Sequence, residues 1–293
     1  MRLLTFTEGG DTRIGAQMDD QVVDFSVVDP ALPTEMVALL EGGETALAKA
    51  KAAIESGRGR IALAGVKLEA PILRPPKILA IGLNYAAHAA ENKIDPPPVP
   101  LVFNKQSLSA NGPYDPIHKP AESEQLDYEG ELAVVIGRRC RRVPQAEAMK
   151  MVAGYTIVND VSIRDWQMAK PVYPHTMGKS WDTHCPMGPV IVTADELTDP
   201  HVLDLEVTVN GELRQKANTS DFIFNIPWLI EHLTTAFTLE VGDVIPTGTP
   251  SGAGAFMDPK GWMKHGDVVK VKIFGIGEIE NPVIDEPADT VSY

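Results

Sequence analysis

The chain has 293 residues, of which 44% are hydrophobic and 23% are charged, the usual proportions of a soluble globular protein with a substantial core. The formal net charge is −14 and the only basic cluster is the run 138–142, so the sequence lacks the concentrated positive surface of a DNA- or RNA-binding protein. No apolar run is long enough to span a membrane, and no secretory signal or disulfide framework is visible, so we expect a cytoplasmic protein without membrane or nucleic-acid partners.

The length favours two domains, and residues 1–71 are expected to form a small α+β domain. Short strand candidates broken by Gly and Asp come first, with a hairpin turn at Asp19-Asp20. Thr34 is expected to cap a helix over 35–41, and an alanine-rich helix is predicted over 44–56. The proline-containing stretch 68–77 then predicts a linker into a second domain, which would span 72–293.

The second domain is predicted to be rich in strands. The strand candidates are 78–82, 101–104, 131–137, 154–160, 188–193, 203–211, 242–248 and 267–275. The helix candidates are 85–92, 145–153, 161–169 and 225–236. Many strands with few helices indicate a β-rich α+β fold and not a doubly wound sheet.

The segment 84–98 carries a possible acid–base pair. In a helix starting near Asn84, His88 and Glu91 lie three residues apart and therefore share a face. A carboxylate beside an imidazole raises its basicity, as is needed to deprotonate water or a carbon acid. Gly82 before the helix and three prolines at 96–98 after it favour a lid on mobile connections. The alternative is an ordinary surface pair.

Two carboxylates at the head of a β-branched run form the most informative pattern. Glu129 and Glu131 are one residue apart, so on a strand they point the same way, and Asp160 at the end of a later strand could join them. Three carboxylates share a site only when a cation offsets their repulsion, and oxygen ligands favour Mg²⁺ or Mn²⁺ over zinc. The pattern predicts a catalytic metal site; the alternative is a solvated strand edge.

Two further segments are candidates for substrate contacts. Residues 177–182 place Lys179 among small and aromatic residues, and the turn 246–252 is rich in glycine and threonine. Such a turn offers backbone N–H and hydroxyl donors to an anion, although it could also be an ordinary β-turn.

In combination and in order, these segments resemble the fumarylacetoacetate hydrolase family over residues 72–285. The matching motifs are GLNYAAHAAE, FNK, DYEGELAVVIG, GYTIVNDVSIRD, GKSWDTHCPMGP, VNGELRQ and PTGTPSGAG. The resemblance implies a mixed β-roll or barrel that holds Mg²⁺ or Mn²⁺ through Glu129, Glu131 and Asp160, and it implies a homodimer. It also implies that His88, Glu91 and Lys179 are catalytic and that the pocket is lined by Tyr85, Lys105, Arg164, Gln167 and Thr249. One departure is Gln106, where many members have proline, which leaves substrate identity open.

The metal site and the resemblance together predict a hydrolase that cleaves the C–C bond of a 2,4-dioxo acid. The 2-oxo acid end would chelate the cation, and His88 supported by Glu91 would activate the attacking water, leaving a pyruvate-type enolate. Acylpyruvates, fumarylpyruvate-like compounds and dioxo sugar acids all fit. Oxaloacetate decarboxylation and isomerisation or hydration of a 2-hydroxy-diene-dioate use the same enolate and remain alternatives. A third alternative is a scaffold that only binds a metal or an anion.

Overall fold

The computed structural model describes residues 1–91, 95–288 and 290. Its strands are β1 Arg2–Glu8, β2 Asp11–Met18, β3 Gln21–Asp24, β4 Arg60–Ala62, β5 Lys67–Glu69, β6 Ile78–Gly82, β7 Leu101–Lys105, β8 Ala110–Asn111, β9 Ile117–Lys119, β10 Leu126–Asp127, β11 Gly130–Ile136, β12 Val152–Asn159, β13 Ser162–Ile163, β14 Cys185–Thr193, β15 Asp204–Val209, β16 Glu212–Asn218, β17 Val244–Pro246, β18 Val268–Ile273 and β19 Gly277–Asp285. Its α-helices are α1 Phe25–Val28, α2 Met36–Glu41, α3 Gly43–Glu55, α4 Ala86–Glu91, α5 Gln145–Ala148, α6 Arg164–Gln167, α7 His175–Lys179 and α8 Ile226–Ala236.

The strands form two main sheets, which confirms the predicted β-rich α+β fold. The larger has twelve strands in the order β4-β3-β2-β1-β14-β12-β11-β17-β6-β7, with β5 paired to β1 and β8 paired to β14. The smaller runs β16-β15-β18-β19-β9, and β10 pairs with β13 separately. Most pairs are antiparallel, but β17 with β6, β14 with β8 and β19 with β9 are parallel. Among the described residues the larger sheet ends at β4 and β7, so it is an open mixed sheet and not a closed barrel.

Strand β11 lies between β12 and β17 and is buried along its whole length. Its alternate residues face different cores: Leu132 and Val134 pack into a cluster with the smaller sheet, whereas Ala133 and Val135 pack with the N-terminal region. A strand covered on both faces needs apolar residues at every position, which explains the uninterrupted run after Glu131.

The N-terminal residues join the same sheet as the rest of the chain. Strand β1 pairs with β14, with Leu3 opposite Ile191. The hairpin turn at Asp19-Asp20 is confirmed, and Asp19 has a positive φ of 54°. The expected Thr34 cap is wrong, because α2 has Glu35 at its N-cap position and no side-chain cap. The division after residue 71 stays a prediction.

Two other helix predictions need correction. The segment 161–169 is helical only over α6, because its first residues form β13 and pair with β10. The segment 145–153 is α-helical only to Ala148, and β12 has begun by Val152. The predicted helix at 225–236 is confirmed as α8, whose first turn is capped by the Asn225 side chain. No helix among the described residues is long and apolar enough to cross a membrane.

Candidate active site

The three predicted carboxylates lie together at one end of the antiparallel pair β11 and β12. Gly130 is paired with Asn159, and the Asp160 amide donates to the Glu129 carbonyl at 2.8 Å, so the strand ends bring all three acids to one place. Oxygen atoms of Glu129, Glu131 and Asp160 lie within 4.8 Å of one another, and each residue is at most 5% exposed. The alternative of a solvated strand edge is therefore wrong.

Three cationic side chains surround this cluster. Lys179 donates to Glu129 at 2.5 Å and to Asp160 at 2.8 Å, and it lies at the end of α7, a helix that the sequence did not predict. Arg164 donates to Glu129 at 2.5 Å. Lys105 lies 2.7 Å from Asp160 and also donates to the main-chain oxygen of Lys179. The cations therefore neutralise Glu129 and Asp160 directly.

Glu131 has a different environment, and the pKa values of the two glutamates diverge for that reason. Burial alone would raise the pKa of Glu129, but Arg164 and Lys179 bring it down to about 2. Burial, together with the charges of Asp160 and Glu129, raises the pKa of Glu131 well above its usual range. A Glu131 carboxylate oxygen accepts the N–H of Gly248 at 2.7 Å. Burial and the two neighbouring acids thus disfavour the ionised form of Glu131 in the metal-free protein.

The residues present fit a hard divalent cation. Glu129, Glu131 and Asp160 offer only oxygen atoms, as Mg²⁺ and Mn²⁺ prefer, and they are close enough to share one ion. A cation here would relieve the repulsion that raises the pKa of Glu131. The buried acidic cluster therefore supports binding of a divalent metal.

Metal binding is expected to release a proton from Glu131. Because its pKa is raised in the metal-free protein, Mn²⁺ must displace a proton below that pKa, and affinity should rise with pH from the ordinary carboxylate range upward. Titration calorimetry at about pH 6 in buffers of different ionisation enthalpy would count the proton. Glu131→Gln is the control, since it has no proton to lose. Binding of Mn²⁺ by the wild type without release of a proton would contradict this expectation.

The acid–base pair predicted from the sequence is also present. His88 Nδ1 lies 3.2 Å from Glu91 Oε2 on helix α4, and the imidazole is buried, at 6% exposure. The N–H of Gly252 donates to both oxygens of Glu91, at 3.1 and 3.3 Å, and the Phe256 ring packs edge-on against His88 with centroids 5.3 Å apart. The hydrogen-bonded pair is confirmed and the surface-pair alternative is wrong. The predicted lid involves residues 92–94, which lie outside the described residues.

Gly252 occupies a position that alanine should not tolerate. Its φ is +98°, and an added Cβ would overlap the main-chain oxygen of Arg214. Gly252→Ala is expected to cost about 1–3 kcal/mol of stability and to lower activity, because its N–H would no longer reach Glu91. Gly211, with a φ of +79° and open space around it, is the matched control. Thermal unfolding and turnover should show Gly211→Ala losing stability only; equal turnover in both variants would contradict this role for Gly252.

The turn 246–252 binds an anion of the protein itself. Besides the Gly248 bond to Glu131, the Thr249 hydroxyl donates to the Gly130 carbonyl at 3.1 Å and accepts from Gln215 at 2.9 Å. The backbone donors predicted from the sequence therefore position the acidic cluster.

A cavity of about 560 Å³ opens over the site. Of the predicted site residues, those on its wall are His88, Glu129, Glu131, Arg164, Gln167, Lys179 and Thr249. Tyr85 and Lys105 are not on this wall, contrary to what the resemblance implies. Tyr85 is fully buried against Phe222, with ring centroids 5.0 Å apart, and Lys105 lies behind Asp160. Lys105 therefore supports the acidic cluster through Asp160, whereas Tyr85 packs in the core.

Sequence reasoning missed Asp127, which orders much of the site. Its carboxylate binds Arg164 at 2.8 Å and accepts the N–H groups of Gly254 and Ala255 at 2.8 and 3.0 Å. The sequence offers one signal for Asp127: it lies two residues before Glu129, so on an extended strand the two side chains point to the same face. Lys260 and Trp262, which also line the cavity, had no such signal.

Comparisons with known proteins agree with this geometry. The fumarylacetoacetate (FAA) hydrolase C-terminal family model matches residues 77–284. A mitochondrial oxaloacetate tautomerase of Xenopus laevis is 43% identical over 288 residues, which cover 97% of this chain and 90% of that protein.

Two solved structures are similar over nearly the whole chain. Fumarylacetoacetate hydrolase from Exiguobacterium antarcticum is 36% identical with a TM-score of 0.85, covering 98% of this chain and all of that one. Maleylpyruvate hydrolase from Sphingobium sp. SYK-6, in complex with manganese(II) ion and pyruvate, is 34% identical with a TM-score of 0.83 and the same coverage. The chain belongs to the fumarylacetoacetate hydrolase family.

Proposed function

We propose that the protein is a Mg²⁺- or Mn²⁺-dependent enzyme that interconverts the keto and enol forms of a 2-oxo acid, with oxaloacetate as its first candidate substrate. The observation that carries the proposal is that His88, which is paired with Glu91, and two members of the acidic cluster, Glu129 and Glu131, line one cavity. A proton-transfer catalyst needs a base and a fixed positive charge on the same small substrate, and this cavity offers both positions.

The proton is moved by His88. Glu91, held by the Gly252 N–H, binds Nδ1 and orients the ring, so Nε2 is the nitrogen that takes the proton from carbon 3 of the keto form and delivers a proton to the carbon-2 oxygen, which gives the enol. The reverse transfer restores the keto form. Lys179 and Arg164 contribute fixed positive charge beside Glu129. Glu129, Glu131 and Asp160 would hold the cation, which when bound would supply positive charge beside the substrate oxygen.

The similarity to a known relative supports tautomerisation over the other reactions that pass through the same enolate. The Xenopus laevis relative named as an oxaloacetate tautomerase shares 43% of residues across almost the whole chain. Tautomerisation also requires only proton transfer, for which His88 and Glu91 suffice.

The second candidate is hydrolysis of the C–C bond of a 2,4-dioxo acid, the function that the sequence favours. A cavity of about 560 Å³ is larger than a four-carbon acid requires and leaves room for a leaving acid beyond carbon 4. The similar maleylpyruvate hydrolase with manganese and pyruvate supports it. In this version His88 takes its proton from water. Decarboxylation of oxaloacetate and isomerisation of a hydroxy-diene-dioate remain further outcomes. The homodimer and the cytoplasmic location stay predictions.

A substrate panel separates these reactions. Purified protein with Mg²⁺ or Mn²⁺ would be given enol-oxaloacetate, acetylpyruvate, fumarylpyruvate and a hydroxy-diene diacid, with ultraviolet detection of the enol and a coupled assay for pyruvate. The proposal expects rapid loss of the oxaloacetate enol without stoichiometric pyruvate. If pyruvate forms only from fumarylpyruvate, the protein is the hydrolase and not a tautomerase. If pyruvate forms from oxaloacetate, it is the decarboxylase.

A further inference from the structure

The cations on the cavity wall differ in how they are neutralised. Arg164 and Lys179 are each bonded to Glu129 at 2.5 Å. Lys260 is exposed, and its ammonium group donates at 2.5 Å to the main-chain oxygen of Ala255, a neutral acceptor. The charge of Lys260 is therefore not cancelled by that partner, in contrast to the charges beside the acidic cluster.

The position of Lys260 is tied to the catalytic groups through the segment 252–262, which we call the rim loop. Its Gly252 N–H binds Glu91, and its Gly254 N–H binds Asp127. Its Phe256 ring packs on His88. The Gly261 amide closes the loop by donating to the Gly254 carbonyl at 2.9 Å. A loop anchored in this way presents Lys260 at a defined place relative to His88.

We propose that Lys260 binds the second carboxylate of the substrate and makes the enzyme selective for dicarboxylic 2-oxo acids. The inference rests on the proposed function in one respect: the 2-oxo acid end must occupy the acidic cluster. Lys260 lines the same cavity, and also the groove beside it, so its ammonium group is within reach of a substrate group that extends beyond carbon 3.

The positive charge of Lys260 is expected to strengthen binding of a dianionic substrate. The chain carries a net charge of −14, which opposes the approach of a dianion. One exposed ammonium that bonds directly to a carboxylate is expected to strengthen binding about five- to tenfold, an effect that salt weakens.

Binding of two unreactive ligands tests the proposal without turnover. Oxamate and N-oxalylglycine share the oxalyl group, but only the second carries a distal carboxylate. Titration calorimetry with the Mn²⁺-loaded protein would measure both. The wild type is expected to prefer N-oxalylglycine about five- to tenfold, Lys260→Gln to lose the preference, and Lys260→Arg to keep most of it.

Lys264→Gln is the matched control. Lys264 is also exposed and lies four residues further on, where it lines a neighbouring groove. An unchanged preference in Lys260→Gln, an equal loss in Lys264→Gln, or no preference in the wild type would overturn the inference. Turnover of enol-oxaloacetate is measured separately. If the protein shows a Lys260-dependent preference for N-oxalylglycine but no turnover of enol-oxaloacetate, the proposed function alone is refuted. If it turns over enol-oxaloacetate but shows no such preference, this inference alone is refuted.

Discussion

Glu131→Ala is expected to abolish binding of Mg²⁺ or Mn²⁺ at ordinary concentrations, and with it all activity. The remaining ligands, Glu129 and Asp160, are already ion-paired with Lys179, so they hold little uncompensated charge for a cation. Glu131, whose pKa is raised by burial and by its acidic neighbours, is the carboxylate that most needs one. Two ligands are too few to replace the hydration shell of an ion that dehydrates reluctantly.

Thermal unfolding with and without Mn²⁺ is the direct readout for this variant. A ligand present at a hundred times its dissociation constant should stabilise the wild type by about 2.7 kcal/mol, and Glu131→Ala should show no such gain. In the metal-free state the variant removes a buried acid next to two others but leaves the Gly248 N–H without its acceptor, so the readout is the gain in stability on adding Mn²⁺. Glu206→Ala, which removes a surface ion pair with Lys216, is the control. Full activity of Glu131→Ala in Mg²⁺ would contradict the metal site.

His88→Ala is expected to lower kcat/KM by at least about a hundredfold, because it removes the group that takes the substrate proton. Metal-dependent stabilisation should be unchanged, since His88 is not among the three oxygen ligands. Glu91→Gln should have an intermediate effect, because the amide still reaches the ring but no longer raises its basicity. Steady-state kinetics on the best substrate of the panel measures both.

His265→Ala is the control for this variant, since His265 is exposed and pairs with Asp285. Its kinetics should match those of the wild type. Unchanged turnover in His88→Ala on every substrate would instead favour the alternative in which the protein only binds a metal or an anion.

The parts of the site that are local in sequence could be predicted. Alternation along a strand places Glu129 and Glu131 on one face, and the helical repeat places His88 beside Glu91. The uninterrupted apolar run of β11 likewise indicated a buried strand. In each case a spacing of only a few residues determines which side chains share a face.

The parts that depend on distant contacts could not be predicted. Lys105 lies behind Asp160 because β7 and β12 belong to one sheet, and Ser162 starts a strand instead of a helix because β10 lies beside it. Nothing local indicates that the rim loop reaches back to Glu91. The pairing of β1 with β14 is equally non-local. Tertiary pairing overrides local propensity at these positions.

Anomalous diffraction from crystals grown with Mn²⁺ would show directly whether the three carboxylates bind the metal. We expect a single strong manganese peak coordinated by oxygen atoms of Glu129, Glu131 and Asp160, which already lie within 4.8 Å of one another. A manganese peak elsewhere, with these three carboxylates still bonded to Lys179, Lys105, Arg164 and Gly248, would contradict it.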